Sequence, residues 1–539
     1  MLSSLRYYWR THTGVSCGVL LASAILTGAL LVGDSVDYSL RETALARLGG
    51  IQHAIDLQNR FVAQELADAI QNHVSAEVCP LLHLRGMAMV QRFLDGAKTQ
   101  INQVQVLGVN SRFWNFDPDI TLELSEYEVA VNEKLAAALG VAPGDEISLR
   151  IIRPDVMSRD APLSSRENEP VIRTLFTVKQ VLPDTGLGRY SLTAGQIAPY
   201  NAFISLAWLQ EQVGLEGRVD TLLAGDGVTP EAIEEALRQS WELEHLGLRI
   251  RQHSSGVVQL ESDRVFLEDE VARAALAIPG AQGMLAYLVN TVSKGNETTP
   301  YSFALAGGGF GDLGEDETVI NRWLAEHLGA REGDQLRVAY YQLLPNNEFV
   351  ETERTLTVRG VVAMDLLRVE RDLMPVFPGL TNVNRCADWK IGMPMDEALL
   401  RDAANESYWQ EFGQTPKLFV SLQAGQTMWS NRFGRLTAVR FDEAAGRVAE
   451  IRRVLKQAID PGKVGIRFLP VRDQALEAVS QAMDFGGLFL GMSFFLIIAA
   501  LILTGLLFVF TLQQRAPEFG TLLALGFKPG QIRLIVLTE

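Results

Sequence analysis

VAVNEKLAAALGVAPGDEISL at residues 129–149 and TVINRWLAEHLGAREGDQLRV at residues 318–338 are two versions of one segment. Asn132 aligns with Asn321, and both copies continue into an apolar helix pattern that ends at a Leu-Gly pair. Gly140 suits the left-handed residue that follows a helix, and the Pro-Gly-Asp after it favours a turn. The segment therefore predicts a strand, a short amphipathic helix, a turn and a second strand.

Further matches between the two halves follow in the same order along the chain. The match of residues 129–149 with residues 318–338 is therefore poorly explained by chance. The later corresponding segments are 176–181 with 356–361, 203–206 with 419–422, 217–218 with 434–435, and 247–249 with 465–467. We therefore predict an internal duplication of a unit that mixes short strands with helices, which is an α+β fold. Repeat one is predicted over residues 34–254 and repeat two over residues 255–484.

Repeat two contains an insertion, predicted at residues 365–415, that repeat one lacks. It includes the polar and aromatic runs NRCADWKIGMP and SYWQEFGQTPK. Tyr408 and Trp409 would form a ligand or partner surface if exposed, or would pack the insertion against its own domain if buried. The sequence favours packing. Because the insertion is absent from repeat one, we expect it to carry specificity.

Two long segments without charged residues predict membrane-spanning helices. They are residues 14–33 and residues 485–514, and about 20 apolar residues span a hydrocarbon core. A cleavable signal peptide is the alternative for the first segment, but its apolar run continues well past the Ala-Ser-Ala where cleavage would fall. Gly28, Ala29 and Gly505 are candidates for close contacts between helices.

Basic residues flank both predicted spans and indicate their orientation. Residues 1–33 contain no acidic residue, and the basic flanking residues are Arg6, Arg10, Arg515, Lys528 and Arg533. Positively charged flanks stay in the cytosol, so both termini are predicted to be cytosolic. The formal net charge of the chain is −16, so the region between the spans is strongly acidic. That charge argues against binding to nucleic acid.

No pattern in the sequence predicts catalysis, a cofactor or a metal site. His73, Cys79 and His83 lie near one another but lack the paired spacing typical of zinc ligands. The glycine run at residues 307–311 lacks the Lys-Ser/Thr of a phosphate loop. Cys79 and Cys386 are expected to be buried thiols, and a single disulfide between them is the alternative. We therefore predict that the protein is not an enzyme.

The last segment, residues 515–539, reads RAPEFGTLLALGFKPGQIRLIVLTE. Pro517 fits the first turn of a helix, and Glu518 suits the positive end of that helix. Gly526 ends it, and a second short helix begins near Pro529. From the pattern alone, the segment is either an amphipathic helix on the membrane surface or a helix that a cytosolic partner grips.

The segment resembles FtsX-like permeases, the permeases of ABC transporters that include MacB-like and lipoprotein-releasing members. The pattern R-x-x-E-x-x-x-L-x-A-L-G after a long span carries the resemblance. The residues that match it are Arg515, Glu518, Leu522, Ala524, Leu525 and Gly526. Residues 1–13 fit as a cytosolic amphipathic helix with Leu2, Leu5, Tyr8 and Trp9. The repeated V-x-N-x-x-L-A-x-x-L-G is similar to the MacB-like periplasmic core domain of that family.

The resemblance implies that residues 515–539 are a coupling segment that docks onto a separate cytosolic ABC ATPase. It also implies a bacterial inner membrane, contacts with membrane lipid, a second permease copy, and a large periplasmic or extracellular domain that moves as the ATPase closes and opens. No cofactor is implied, because the ATPase would bind the nucleotide. Family members carry further spans after this segment, so the chain resembles an N-terminal portion truncated at Glu539.

Two other functional classes share a two-span topology with a large loop. A receptor for a periplasmic ligand would carry a signalling domain or heptad repeats after the second span. A polysaccharide chain-length regulator would carry long coiled-coil helices in the loop. The sequence favours the permease because it shows neither feature.

Overall fold

The computed structural model describes residues 6–538 except 59, 92–97, 155–160, 165–170, 196, 311, 442–445 and 483–484. Leu2, Leu5 and Gly311, which belong to the predicted amphipathic helix and to the glycine run, lie outside the described residues. The chain divides into two compact units. The helical unit comprises Met1–Leu48, Ser191–Ile197 and Arg472–Glu539, and the repeat unit comprises Gly49–Tyr190 and Ala198–Val471.

The helices and strands follow one another along the chain as an α+β protein. The helices are α1 (Trp9–Ala46), α2 (Glu65–Gln71), α3 (Glu133–Leu139), α4 (Leu206–Val213), α5 (Pro230–Ser240), α6 (Asp269–Leu276), α7 (Arg322–His327), α8 (Arg368–Leu373), α9 (Ala403–Phe412), α10 (Leu422–Trp429), α11 (Val448–Ala458), α12 (Val471–Ala482), α13 (Phe485–Gln514), α14 (Ala516–Ala524) and α15 (Pro529–Thr538). The strands are β1 (His53–Asp56), β2 (Val62–Ala63), β3 (Val78–Gln91), β4 (Lys98–Val109), β5 (Glu128–Asn132), β6 (Glu146–Ile152), β7 (Val171–Leu182), β8 (Tyr200–Ser205), β9 (Arg218–Val219), β10 (Thr221–Ala224), β11 (Leu248–Gln252), β12 (Val258–Ser262), β13 (Ala281–Lys294), β14 (Glu297–Ala306), β15 (Glu317–Asn321), β16 (Gln335–Leu343), β17 (Phe349–Val362), β18 (Leu418–Val420) and β19 (Ala438–Phe441).

The two repeats form sheets with the same strand order. In repeat one, β3, β4, β8, β5, β7 and β6 follow one another around a ring that closes where β3 pairs with β6, and β10 and β1 extend it from β3. In repeat two, β13, β14, β18, β15, β17 and β16 form the equivalent ring, and β19 and β12 extend it. The parallel pairs β4–β8 and β5–β7 recur as β14–β18 and β15–β17. The predicted α+β fold class is confirmed, and the shared order supports the duplication.

A local irregularity of the strands also recurs. The register of β5 against β7 shifts between Val129 and Ala130, and the register of β15 against β17 shifts between Thr318 and Val319. A bulge of this kind bends a strand and increases its twist. The hydrophobic pattern does not require it, so its recurrence at matching positions is independent support for the duplication.

Each repeat contributes its last extended segment to the sheet of the other repeat. β11, which follows α5 of repeat one, pairs antiparallel with β12 at the edge of the second sheet. In return Leu469, which follows α11 of repeat two, bonds in both directions to Ala54 of β1, with N–O distances of 2.8 and 3.0 Å. The apolar side chains of Leu248 and Ile466 on the exchanged segments join one buried cluster. The repeats are therefore interlocked and form one compact unit.

The insertion packs its own aromatic residues into repeat two. It lies between β17 and β18, and Trp389 and Tyr408 in it are buried. The Tyr408 hydroxyl donates to the Thr415 carbonyl at 2.8 Å. The Trp409 ring lies 5.1 Å from that of Trp389 and 6.2 Å from that of Phe303. The insertion therefore packs its aromatic residues against its own domain, which is the alternative that the sequence favours.

Among the described residues, two helices are long and apolar enough to cross a membrane. They lie within α1 and α13, at His12–Ala46 and Ser493–Gln514. One close contact between them is at Gly18, where an added Cβ would lie 2.7 Å from Thr504 Oγ1. A Cβ at Gly28 or Gly505 would meet nothing within 4 Å in the single chain. Contacts of Gly28, Ala29 and Gly505 with further spans or with a second permease copy therefore stay a prediction.

We expect Gly18→Leu to destabilise the helical unit by roughly 1–3 kcal/mol, because Thr504 is short and has no flexible end that can move aside. The measurement is the apparent Tm of the detergent-solubilised full chain. Gly28→Leu is the matched control, since it adds the same side chain where space is open. An equal Tm for the two variants would contradict the Gly18 contact.

Cys79 and Cys386 are both free and buried, as expected. The Cys79 thiol lies 3.4 Å from the Asn110 side-chain oxygen, whereas the Cys386 thiol lies beside Asn405. Burial raises the pKa of Cys386 to about 12. Both thiols are therefore protonated at neutral pH and unreactive.

Candidate functional site

The candidate site is the segment that follows the second long helix. Arg515 separates α13 from α14, which begins with Ala516 and Pro517. Proline is tolerated in the first helical turn because its missing N–H would have no partner there. Glu518 also lies in this first turn, where its negative charge complements the helix dipole. The sequence pattern thus explains the sharp start of α14.

Arg515 begins the segment and is only 3% exposed. Its Nε lies 2.8 Å from Glu518 Oε2, and its Nη2 lies 3.3 Å from Glu518 Oε1. Such a two-point pair fixes the relative orientation of both side chains. The pair therefore holds the first turn of α14 against the end of α13.

Tyr8 is a member of this site that sequence reasoning did not assign to it. The guanidinium of Arg515 lies 4.7 Å from the Tyr8 ring centroid and 5.5 Å from that of Phe519. Burial and the nearby Glu518 carboxylate raise the pKa of Tyr8. An aromatic face on a partly desolvated guanidinium adds a cation–π attraction. The start of the chain and the segment after α13 are thus joined at one cluster.

The other end of α14 is a glycine-terminated turn. Gly526 has φ +92°, a conformation that favours glycine. The Phe527 N–H donates to the Leu522 carbonyl at 3.1 Å, and the Gly526 N–H donates to the Leu523 carbonyl at 3.0 Å. These two bonds form a Schellman motif, which satisfies the carbonyls at the helix end. The motif therefore ends α14 at Gly526, before α15 begins at Pro529.

Exposed apolar side chains surround this turn. Leu525 is 71% exposed, and Leu523 and Phe527 are also exposed. Ala524 is exposed as well, while Leu522 is partly buried. An apolar group of this kind at a helix end suits burial against a protein partner or in a membrane interface.

The structure brings the predicted residues into two groups. Arg515 and Glu518 form the ion pair at the start of α14, whereas partly buried Leu522 and exposed Ala524, Leu525 and Gly526 lie at its other end. The arrangement is a short helix with an ion pair at its start and exposed apolar side chains at its end. Within the described part of the chain, no group of three or more His, Cys, Asp and Glu side chains is placed to hold a metal ion.

Residues 490–539 match the family described as FtsX-like permease C-terminal. No curated protein matches the sequence. The periplasmic region of MacB from Actinobacillus actinomycetemcomitans is similar at 12% identity, covering 36% of this chain and 86% of that chain at a TM-score of 0.24. The extracellular domain of the noncanonic ABC-type transporter YknZ from Gram-positive bacteria is similar at 10% identity, covering 34% and 87% at a TM-score of 0.22. The family match includes all the candidate residues of the segment and confirms the resemblance to FtsX-like permeases.

Proposed function

We propose that the chain is a permease subunit of an ABC-type transporter or mechanotransmission complex. A partner ATPase hydrolyses ATP in the cytosol, and the repeat unit moves on the other side of a bacterial inner membrane. The match of residues 490–539 to an FtsX-like permease segment is the observation that carries the proposal. The two helices that are long and apolar enough to span a membrane support it.

In this function α14 is the coupling helix. Its exposed tip at Leu525 docks on the ATPase, and the Arg515–Glu518 pair transmits the displacement to α13. A two-point ion pair, here with a buried arginine, fixes the orientation of α14 against the end of α13, so the two helices move together. Both chain termini are cytosolic in this arrangement, the spans contact membrane lipid, and a second permease copy completes the assembly.

Arg47 is a candidate for passing motion onward at the far end of α1. Its Nη1 donates to the carbonyls of Ser191, at 2.9 Å, and Thr193. Its side chain is buried, and its Nε donates to the Ala44 carbonyl at 3.2 Å. Ser191 and Thr193 belong to the connection between β7 and β8 of repeat one, so a displacement of α1 would pull on that connection. The interlocked repeats would then respond together.

Co-purification of the full chain from membranes with the ABC ATPase encoded beside it tests the proposal. We expect Glu518→Lys and Leu525→Asp each to reduce capture of the ATPase by on the order of tenfold or more, because the first breaks the ion pair and the second places a charge in an apolar contact. The matched controls are Glu42→Lys and Leu276→Asp, which make the same changes at exposed positions outside the coupling segment.

Capture that both coupling variants lose and both controls retain would support docking through α14. Capture that both coupling variants retain, or no capture by the correctly inserted wild-type chain, would contradict it and favour the receptor alternative.

A further inference from the structure

The connection that closes one hairpin differs between the two repeats. In repeat one, β6 and β7 are joined through residues 153–170, whereas in repeat two the equivalent strands β16 and β17 are joined through residues 344–348. The shorter connection is a tight turn, in which the Leu344 N–H donates to the Glu348 carbonyl at 2.9 Å. A short turn is therefore sufficient to close this hairpin, so the ring does not require the extra length in repeat one.

Residues 161–164 of the long connection are buried. Ala161 and Leu163 are both 0% exposed, and both belong to the apolar cluster of repeat two. Every other buried member of that cluster comes from residues 265–438. The connection therefore places two apolar side chains of repeat one in the core of repeat two.

The buried residues of the connection contact the insertion of repeat two. The Gly392 N–H donates to the Ser164 carbonyl at 2.6 Å. Ile391 and Met393, on either side of Gly392, are buried in the same cluster as Leu163. The long connection and the insertion are both additions to the ring that the repeats share, and these two additions meet. Their contact therefore has a role other than forming the rings.

Residues 161–164 form a turn that is stabilised from within. The Ser164 N–H and the Ser164 Oγ both donate to the Ala161 carbonyl, at 3.1 and 2.9 Å. Pro162 stands at the second position of this turn, where its fixed φ is favoured. The turn therefore does not need the insertion to keep its shape.

The free energies that hold this turn in place nearly balance. Full burial of one leucine side chain is about as favourable as the ordering of two backbone residues is unfavourable. The burial of Leu163 and Ala161, together with the bond from Gly392, thus largely offsets the entropy lost when residues 161–164 are fixed. The bound and released positions of the turn are therefore close in free energy, and local opening of this kind occurs without global unfolding.

We propose that residues 161–164 are a strap that fastens the insertion of repeat two to repeat one and that releases while both rings stay folded. When the strap is bound, the insertion is held by both repeats. When the strap is released, repeat two alone carries the insertion, which can then move relative to the hairpin of β6 and β7. The strap lies within the repeat unit and does not depend on ATPase coupling, so its test is independent of the proposed function.

The test is hydrogen–deuterium exchange of the full chain in lipid nanodiscs, measured at single amides by mass spectrometry. The Gly392 amide reports release, because its partner is the Ser164 carbonyl. Leu163→Ala removes most of the buried apolar side chain and should speed exchange at Gly392 by on the order of tenfold or more. The apparent Tm should fall by no more than about 2 °C, because the rings do not open with the strap.

One amide and one variant are matched controls. The Lys390 N–H donates to the Gly379 carbonyl at 3.1 Å, and both residues belong to the insertion, so its exchange should be unchanged in Leu163→Ala. Leu175→Ala makes the same substitution on β7 of the same hairpin, where the side chain is 52% exposed. It should leave exchange at Gly392 unchanged.

Faster exchange at Gly392 with unchanged exchange at Lys390 would support a releasable strap. Equal acceleration at both amides, a large loss of Tm or a Leu163→Ala chain that does not fold would show that Leu163 is an ordinary core residue, and each would overturn the proposal. Unchanged exchange at both amides would also overturn it, because Leu163 would then not hold the turn in place.

Discussion

Replacing Asn132 or Asn321 by alanine is expected to lower the apparent Tm of the full chain by roughly 3 °C. Each asparagine is buried, and each ends a strand and caps the helix that follows. The Asn132 side-chain oxygen accepts from the Leu135 N–H at 3.2 Å, and that of Asn321 accepts from the Leu324 N–H at 2.8 Å. Removing such a cap costs roughly 0.5–2 kcal/mol.

The amide nitrogen of each asparagine makes the larger contribution. Asn132 Nδ2 donates to the Pro199 carbonyl at 2.9 Å, and Asn321 Nδ2 donates to the Pro416 carbonyl at 3.1 Å. These carbonyls lie just before β8 and β18, so the bonds join distant parts of each ring. A buried polar group left without a partner costs roughly 1–3 kcal/mol, so the two losses together cost about 3 kcal/mol.

The measurement is thermal unfolding of the full chain followed by tryptophan fluorescence. Asn346→Ala is the matched control, because Asn346 is exposed and bonds only to exposed Glu348 among the described residues. Its Tm should change by less than about 1 °C, as expected of a surface substitution. If the Asn132 and Asn321 variants have the same Tm as the control variant, the two asparagines do not stabilise the rings.

The two asparagines illustrate which structural features can be predicted from a sequence and which cannot. Their alignment was visible because the strand, the helix and the turn around them are local patterns. The amide bonds to Pro199 and Pro416 were not visible, because they cross from one strand to another far along the chain. The exchange of β11 and of the segment at Leu469 was hidden for the same reason.

The contacts of the candidate site also divide into those that local sequence patterns predict and those that they do not. The ion pair of Arg515 with Glu518 and the turn at Gly526 follow from short spacings and turn chemistry, so they could be predicted. The contact of Tyr8 with Arg515 joins the two ends of the chain, and no local rule indicates it. Gly18 was overlooked because close packing of two spans depends on which helix faces meet. The amino-acid composition of the spans does not contain that information.

Substitution of Asp220 is expected to produce the second large effect, a changed pH dependence of stability. Asp220 is 1% exposed, and its Oδ1 accepts from the His83 N–H at 2.9 Å and from Thr221 Oγ1 at 3.1 Å. Burial raises the pKa of Asp220 to about 8, and the nearby Asp56 carboxylate adds to the effect. The folded protein therefore keeps this carboxyl protonated up to about pH 8, whereas the unfolded chain releases the proton near pH 4.

The sign of the pH dependence follows from proton counts. Between about pH 4 and pH 8 the folded state holds one proton more than the unfolded state at Asp220, so stability falls as the pH rises. The slope is at most about 1.4 kcal/mol per pH unit, and it ends above the folded pKa. Asp220→Thr should remove this slope and keep the fold, because Thr437 occupies the equivalent position of repeat two. Its Oγ1 accepts from the Ala286 N–H at 2.9 Å.

Lys417 makes the folding stability depend on pH in the opposite direction, and it does so at higher pH. It is 1% exposed, and its Nζ donates to Asn405 Oδ1 at 2.7 Å and to Thr299 Oγ1 at 3.0 Å. Burial lowers the pKa of Lys417 to about 7, against the opposing effect of Asp402. Between about pH 7 and pH 10.5 the unfolded chain holds the extra proton, so stability rises with pH.

The pH ranges in which Asp220 and Lys417 change the stability overlap only between about pH 7 and pH 8, where their opposite effects cancel. Replacing one residue therefore isolates the pH dependence that the other produces. The Tm of the wild-type chain minus that of Asp220→Thr should fall from pH 5 to about pH 8 and then level off. The Tm of the wild-type chain minus that of Lys417→Met should rise from about pH 7 to pH 10. Groups far from both residues titrate equally in all three proteins and cancel in these differences. A Tm profile for Asp220→Thr that runs parallel to the wild type below pH 7 would mean that Asp220 is ionised in the folded protein. The hydrogen bonds from His83 and Thr221 would then stabilise a buried carboxylate.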